Sequence, residues 1–265
     1  MNGLDLPRLP RWCTLVRADN PSPMTLEGTN TYVLRGDGAT AVVVVDPGPL
    51  DEGHLEAVAA HGPVERVLLT HGHPDHSDGA RRLHAMTGAP VVAADPAFCI
   101  DAVPWPRDAR NETAAGLRIQ VLPTPGHTSD SVSFVVEHED HGEPGEPGLL
   151  TGDTILGRGT TVVAHPDGRL GDYLTSLETL RDLGALTLLP GHGPAGGDAG
   201  ERAAAYLVHR AQRLDQVRAA VAAGATTAHD VVRRVYADVD PSLLPAAELS
   251  VLAQLDYLGV SRRGG

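Results

Sequence analysis

Four apolar runs in this chain each break into a histidine or an aspartate. "RVLLTH" ends at His71, "IQVLPTPGH" at His127, "GLLTGD" at Asp153 and "LTLLPGH" at His192. Short continuous apolar runs of this kind read as buried strands. In the last three a glycine stands directly before the polar residue, so the backbone can turn sharply there and approach its neighbours closely. Strands lying side by side in an α/β sandwich deliver their exit loops to one edge, where such folds keep their sites. The repeated pattern demands a fold that gathers these exits.

The first exit is the densest. "LLTHGHPDHSDG" (residues 68–79) places three histidines and an aspartate within six positions. Crowding titratable groups costs desolvation unless something compensates, and the usual compensation for such a set is a metal ion. His71 and His73 stand two apart on an extended segment and can face one point. Asp75 and His76 follow where the chain turns into a helix, so their side chains diverge toward a second point. One loop can serve two neighbouring ions, with His127, Asp153 and His192 supplying the remaining ligands. Singly, His127 or His192 would be an ordinary loop histidine and Asp153 a helix N-cap. Four pieces in matched settings argue otherwise.

The flanking segments fix the architecture. "TYVLRGDGATAVVVVD" reads as a hairpin turning at Gly36–Gly38 and ending at Asp46. Helical spacing follows over 53–62, a second helix over 77–88 stops at Gly88, and a third covers roughly 171–183. Strands are expected at 90–94, 117–122, 132–136 and 149–150. Strands that begin as a hairpin and then alternate with helices, twice over, predict two packed sheets with helices outside, a four-layer αββα sandwich. "HEDHGEPGEPG" (138–148) reads as an acidic linker in which His138 and His141 are solvated. Beyond "GPAGGDAG" the chain turns helical, over 201–223, 227–237 and about 245–258. The expected division is a catalytic domain at 1–197 and a small helical, winged-helix-like unit at 198–265, which either binds a partner or braces the sandwich.

Composition limits the function. The 42 % hydrophobic content can fill a core, and with only 3 % aromatic residues Ala, Val and Leu must build it. The formal charge is −13, and all 21 basic residues are arginine. Residues 1–199 carry 13 Arg against 27 acids, a net −14, whereas residues 200–265 carry 8 Arg against 7 acids, a net +1. Such an acidic body lacks the basic track that nucleic-acid binding ordinarily uses. Two cysteines, Cys13 and Cys99, form no disulfide framework. No apolar leader opens "MNGLDLPRLPRW" and no run is long enough to span a bilayer, so the expectation is a cytoplasmic protein without a membrane partner.

The histidine-rich loop resembles the signature of the metallo-β-lactamase superfamily, H-x-H-x-D-H, standing here as His71-Gly72-His73-Pro74-Asp75-His76, with His127, Asp153 and His192 in the order that superfamily uses. The resemblance implies that His71, His73 and His127 hold one zinc and that Asp75, His76 and His192 hold the other. Asp153 and a hydroxide would bridge the two. Manganese or iron could replace zinc at so imidazole-rich a site. Asp46, closing "VVVVDPG", looks like the aspartate that orients a ligand imidazole. Asp75 and Asp153 are the expected catalytic carboxylates, Asp75 as proton acceptor. Tyr32, Asp130, His165 and Tyr173 are candidates for a leaving-group acid. Asn30 and Tyr32 in "GTNTY" either line the metal pocket or belong to a strand-entry turn, and Thr161 and His165 could contact substrate.

Within the superfamily the chain is similar to the β-lactamase-like protein 2 group, through "LEGTNTYVL" (26–34), "TPGHTSDS" (124–131), "TGDTILGRGTTVV" (151–163), "DYLTSLETL" (172–180), "PGHGP" (190–194) and "YLVHR" (206–210). That likeness implies a dinuclear hydrolase of one of two kinds. The leading expectation is one that cleaves single-stranded RNA. The other hydrolyses an acyl thioester or ester on a small metabolite or carrier. A broad arginine-bordered groove would favour the first and a deep apolar pocket the second. A non-enzymatic role, with structural metals and a nucleic-acid-binding tail, is the third reading. It fits an open seven-ligand site poorly. The sequence leaves the oligomeric state open.

Overall fold

The protein is described from a computed structural model covering residues 9–106, 108–138, 146–237 and 239–260. Two five-stranded sheets face each other. The first contains β1 (Cys13–Arg17), β2 (Asn30–Leu34), β3 (Val42–Val45), β4 (Val64–Leu68) and β5 (Val91–Val92), side by side in that order. The second contains β6 (Arg110–Ala114), β7 (Leu117–Pro123), β8 (Val132–His138), β9 (Gly148–Gly152) and β10 (Thr187–Pro190), in order β10-β9-β8-β7-β6.

Both sheets are covered on both faces, which is why "VVVV" is apolar throughout rather than alternating. Val43 and Val45 point between the sheets, where they meet Leu117, Ile119, Phe134, Leu150 and Leu189. Val42 and Val44 point outward onto Leu55 of α1 (Glu52–Ala59) and Leu83 of α3 (Ala80–Thr87). On the far side Leu149 and Leu188 pack against Tyr173 and Leu177 of α4 (Leu170–Asp182) and Tyr206 of α5 (Ala199–Ala222). The four layers expected from the sequence are present. Each fully buried Leu or Val contributes about 1.5–3 kcal/mol of transfer free energy.

The helix expected over 77–88 begins earlier and is divided. A short α2 (Pro74–Ser77) starts at the proline, and α3 begins only after Gly79. A Cβ at Gly79 would lie 2.9 Å from the Gly48 carbonyl oxygen, so the join packs directly against the β3 exit. Strands β1 and β6 lack clean alternation and are not predicted by it. Of the expected linker, His138 ends β8 and Gly148 opens β9. His141 falls outside the described residues.

Strand direction positions the site. β3 and β4 run parallel in the first sheet. In the second, β9 and β10 are parallel, and β7 shares their sense through two antiparallel steps. The exits at Asp46, His71, His127, Asp153 and His192 therefore open on one edge. β2 runs antiparallel to β3 and begins there. The C-terminal helices close over this side. α5 carries Ala203, Tyr206 and Leu214 into the sandwich core, and its last turns join α6 (Ala228–Val235) and α7 (Leu244–Tyr257) around Val217, Val231 and Val251. Thr227 opens α6 with a reciprocal capping box to Asp230. No described helix is long and apolar enough to cross a membrane.

Candidate metal centre

The seven expected ligands converge. The donor atoms of His71, His73 and His127 lie within 4.8 Å of one another, as do those of Asp75, His76 and His192, and those of His71, His76 and Asp153. Three imidazole nitrogens crowd in the first group, with His73 Nδ1 3.1 Å from His71 Nε2 and 3.0 Å from His127 Nε2. In the second, His76 Nε2 and His192 Nε2 are 3.2 Å apart. Asp153 spans the two. Its Oδ1 lies 3.4 Å from both His76 Nε2 and His192 Nε2, and its Oδ2 lies 3.8 Å from His127 Nε2. Asp75 Oδ2 closes the second group at 3.1 Å from His192 Nε2.

The outer hydrogen bonds decide which nitrogen carries each proton. His127 Nδ1 faces the Val162 carbonyl at 2.7 Å and His192 Nδ1 faces the Gly28 carbonyl at 3.3 Å. A carbonyl only accepts, so both Nδ1 atoms are N–H donors and both Nε2 atoms are the ones turned inward. His76 Nδ1 donates to Asp46 Oδ2 at 2.9 Å by the same logic. Thr70 Oγ1 spends its one proton on Asp46 Oδ2 at 2.7 Å, so it must accept from His71 Nδ1 at 3.0 Å. Four inward Nε2 atoms and a carboxylate that reaches both groups, whose buried Oδ1 has no hydrogen-bond partner, are a donor set suited to divalent metal.

Asp46 is the hub of this arrangement. Its carboxylate takes the Thr70 amide, the Thr70 hydroxyl and His76 Nδ1, and its backbone stands at φ 51°, which few residues other than glycine adopt. Asn30 and Tyr32 are buried and do not line the cavity that His127 and Asp153 border. Asn30 Nδ2 donates to the Pro190 and Gly193 carbonyls and the Tyr32 hydroxyl donates to Pro190, so both brace the loop carrying His192. Thr161 does line the cavity beside the metal centre, with its Oγ1 3.3 Å from His127 Nδ1. His165 is half-buried and absent from that cavity wall. Among the acid candidates, the Tyr173 hydroxyl donates to the Thr154 carbonyl and Asp130 lines a separate cleft with Asp167 and Asp172. Neither lines the cavity beside the metal centre.

Sequence reasoning missed Thr70, which stands directly before His71 and aligns it. It also missed His209, Arg210 and Arg213, which line the same cavity. "YLVHR" held the signal for two of them, but helix periodicity alone does not show which side faces the site.

Gly191 shows how tightly the ligands are set. A Cβ there would lie 2.6 Å from Asp153 Oδ1 and 2.7 Å from His76 Cε1. Gly191→Ala is therefore expected to destabilise the protein by about 1–3 kcal/mol through overpacking and to lower bound metal. Thermal melting with metal analysis checks this, and unchanged values for both would contradict it.

The two groups differ in charge state without metal. Burial holds His71 well below the usual imidazole range and His127 at about 4, so both are neutral at pH 7. Burial also opposes charge on His76 and His192, but Asp153 with Asp46 raises His76, and Asp153 with Asp75 lifts His192 to about 9. Metal entering the second group must displace those protons, because only the neutral imidazole ligates. Affinity there should rise with pH, and the His192 proton should cease to compete above about 9. Zinc calorimetry in buffers of different ionisation heat should record proton release at pH 7 that diminishes as the pH passes about 9, where His192 gives up its proton unaided. Release independent of pH would contradict the assignment.

The family model described as "Metallo-beta-lactamase superfamily" matches residues 24–192, and "Beta-lactamase associated winged helix domain" matches residues 227–259. A Caenorhabditis elegans protein named "Beta-lactamase-like protein 2 homolog" is 31 % identical over 85 % of this chain and 76 % of its own length. A Drosophila melanogaster protein of the same name is 32 % identical over 90 % of this chain and 85 % of its own length. The solved structure of a metallo-beta-lactamase family protein from Thermus thermophilus superposes with a TM-score of 0.76 at 27 % identity, covering 96 % of each chain. The C-terminal helices thus include a winged-helix domain. Strand order, converging ligands and a match across most of the length agree, and this chain belongs to the metallo-beta-lactamase superfamily.

Proposed function

We propose that the protein is a dinuclear zinc hydrolase acting on a compact acyl thioester or ester. The observation that carries this reading is the cavity beside His127 and Asp153. It measures about 360 Å³, the size of a small-ligand site, and its wall is mainly apolar, with Met24, Leu26, Leu156, Val162, Tyr236 and Leu243. The winged-helix unit supplies much of that wall, which makes it a lid over the centre.

Two zinc ions at this site would polarise the substrate oxygen and lower the pKa of a shared water toward neutrality. Asp153 sets the spacing of the two groups through its two oxygens. Asp75 is the ligand best placed to take a proton from water. Burial opposes its charge, but His192 and His76 keep it ionised, and its side chain is 28 % exposed toward solvent. Among the described residues lining the cavity, His209 and Tyr236 are the titratable proton donors outside the ligands. A thiol, with a pKa of about 8.5, leaves as thiolate without needing either.

A second reading, cleavage of single-stranded RNA, is supported by Arg158, Arg210 and Arg213 in the cavity wall, which could meet phosphates. A substrate panel separates the two. Zinc-loaded protein should turn over acyl-CoA or p-nitrophenyl esters, lose that activity in Asp153→Ala and leave labelled RNA intact. RNA cleavage above the Asp153→Ala control without ester turnover would reverse the order. Activity on neither class would sink the hydrolase reading.

A further inference from the structure

In a protein of net charge −13, one cavity wall gathers Arg158, Arg210, Arg213 and His209, with Asp153 its sole carboxylate among the described residues. Two of the arginines are engaged. Arg158 pairs with Glu27 at the exposed rim, and Arg213 stacks on Tyr236 at 4.6 Å while donating to the Val235 carbonyl. Arg210 is different. It is 3 % exposed, and no described carboxylate lies within ion-pair distance of it. Its guanidinium lies over the Tyr173 ring at 5.0 Å, one Nη donates to the Thr161 carbonyl, and its Nε has no partner.

An arginine stays charged at any pH the fold meets. Burying that charge with no counter-ion and a donor unpaired is costly, and the cost is relieved when an acceptor binds. The Thr161 contact does not explain the charge, because a neutral donor would serve it equally. We propose that Arg210 is the anchor of a substrate subsite that binds an oxyanion, a carboxylate or a phosphate, alongside the metal centre. Resting on the hydrolase reading above, this makes the substrate a (thio)ester bearing an anionic group. That group fixes its orientation in a cavity whose remaining wall is mainly apolar but for the engaged arginines and His209.

Calorimetric titration of the metal-loaded protein with phenylacetate, phenyl phosphate and neutral phenylacetamide tests the subsite without requiring turnover. Wild type should bind at least one anion about tenfold or more tighter than the amide, and the tighter anion names the group. Arg210→Gln keeps a donor for the Thr161 carbonyl but removes the charge. It should erase the anion preference while metal content and amide affinity stay unchanged and the melting temperature does not fall. Arg210→Lys should retain part of the preference. Equal wild-type affinity for all three probes would overturn the subsite, as would an anion preference surviving in a folded, metal-replete Arg210→Gln. Should that variant lose metal or fold poorly, a crystal structure of wild type with the tighter anion decides. An oxygen within about 3.2 Å of the Arg210 guanidinium supports the proposal, and an anion held by the metals alone overturns it. Failure of every ester in the substrate panel would strike the hydrolase reading, whereas these titrations strike only the subsite.

Discussion

Replacing Asp153 by asparagine should cut turnover about a thousandfold and reduce bound zinc from two ions toward one. The carboxylate is the only described side chain whose two oxygens reach both groups, Oδ1 toward His76 and His192 and Oδ2 toward His127. Asparagine keeps the shape but loses the charge and one acceptor. The ions would then lack their shared ligand and a negative charge that offsets their repulsion. Such Lewis-acid stabilisation is worth several kcal/mol, and each factor of ten in rate corresponds to about 1.36 kcal/mol, which gives the expected size. The measurement is steady-state kinetics on whichever substrate the panel identifies, with metal analysis on the same sample. Near-wild-type turnover at full metal content would show that Asp153 bridges nothing.

Asp46→Asn should weaken zinc binding about 10- to 100-fold with the backbone intact. Asparagine tolerates the left-handed φ of 51° as aspartate does, so the backbone requirement is met. What changes is the number of acceptors. Asp46 is 2 % exposed, and its Oδ2 receives both the Thr70 hydroxyl and His76 Nδ1. An amide offers one acceptor oxygen in place of two. Its NH2 group must therefore face either the Thr70 amide at the Oδ1 place or both the Thr70 hydroxyl and His76 Nδ1 at the Oδ2 place. In each case the segment carrying His71 loses an anchor. Removing one partner from this buried set should also destabilise the metal-free fold by about 1–3 kcal/mol. Competition with a zinc chelator and thermal melting read the two effects. Wild-type affinity would contradict the role assigned to Asp46.

Much of the centre was legible because metal ligation imposes spacing on the chain itself. His71, His73, Asp75 and His76 share one loop, and each remaining ligand follows an apolar strand and a glycine. The layered sandwich was legible for a related reason, since strands that open as a hairpin and then alternate with helices, twice over, need two covered sheets. Other parts depend on distant residues. Asn30 and Tyr32 act on carbonyls some 160 positions away, at Pro190 and Gly193, and no local pattern encodes that. Thr70 is hidden because its hydroxyl matters only through Asp46. Arg210 is hidden because one turn of a long amphipathic helix looks like any other until the cavity beneath it is seen. The split between α2 and α3 was missed because Gly79 reads as a tolerated helical glycine, whereas it abuts Gly48.

The most direct test of the paired-ion centre is anomalous diffraction at the zinc edge from crystals of the zinc-loaded protein. Two peaks about 3.5–4 Å apart are expected, one among His71, His73 and His127 and the other among Asp75, His76 and His192, with Asp153 touching both. A single peak, or ions bound away from these side chains, would contradict it.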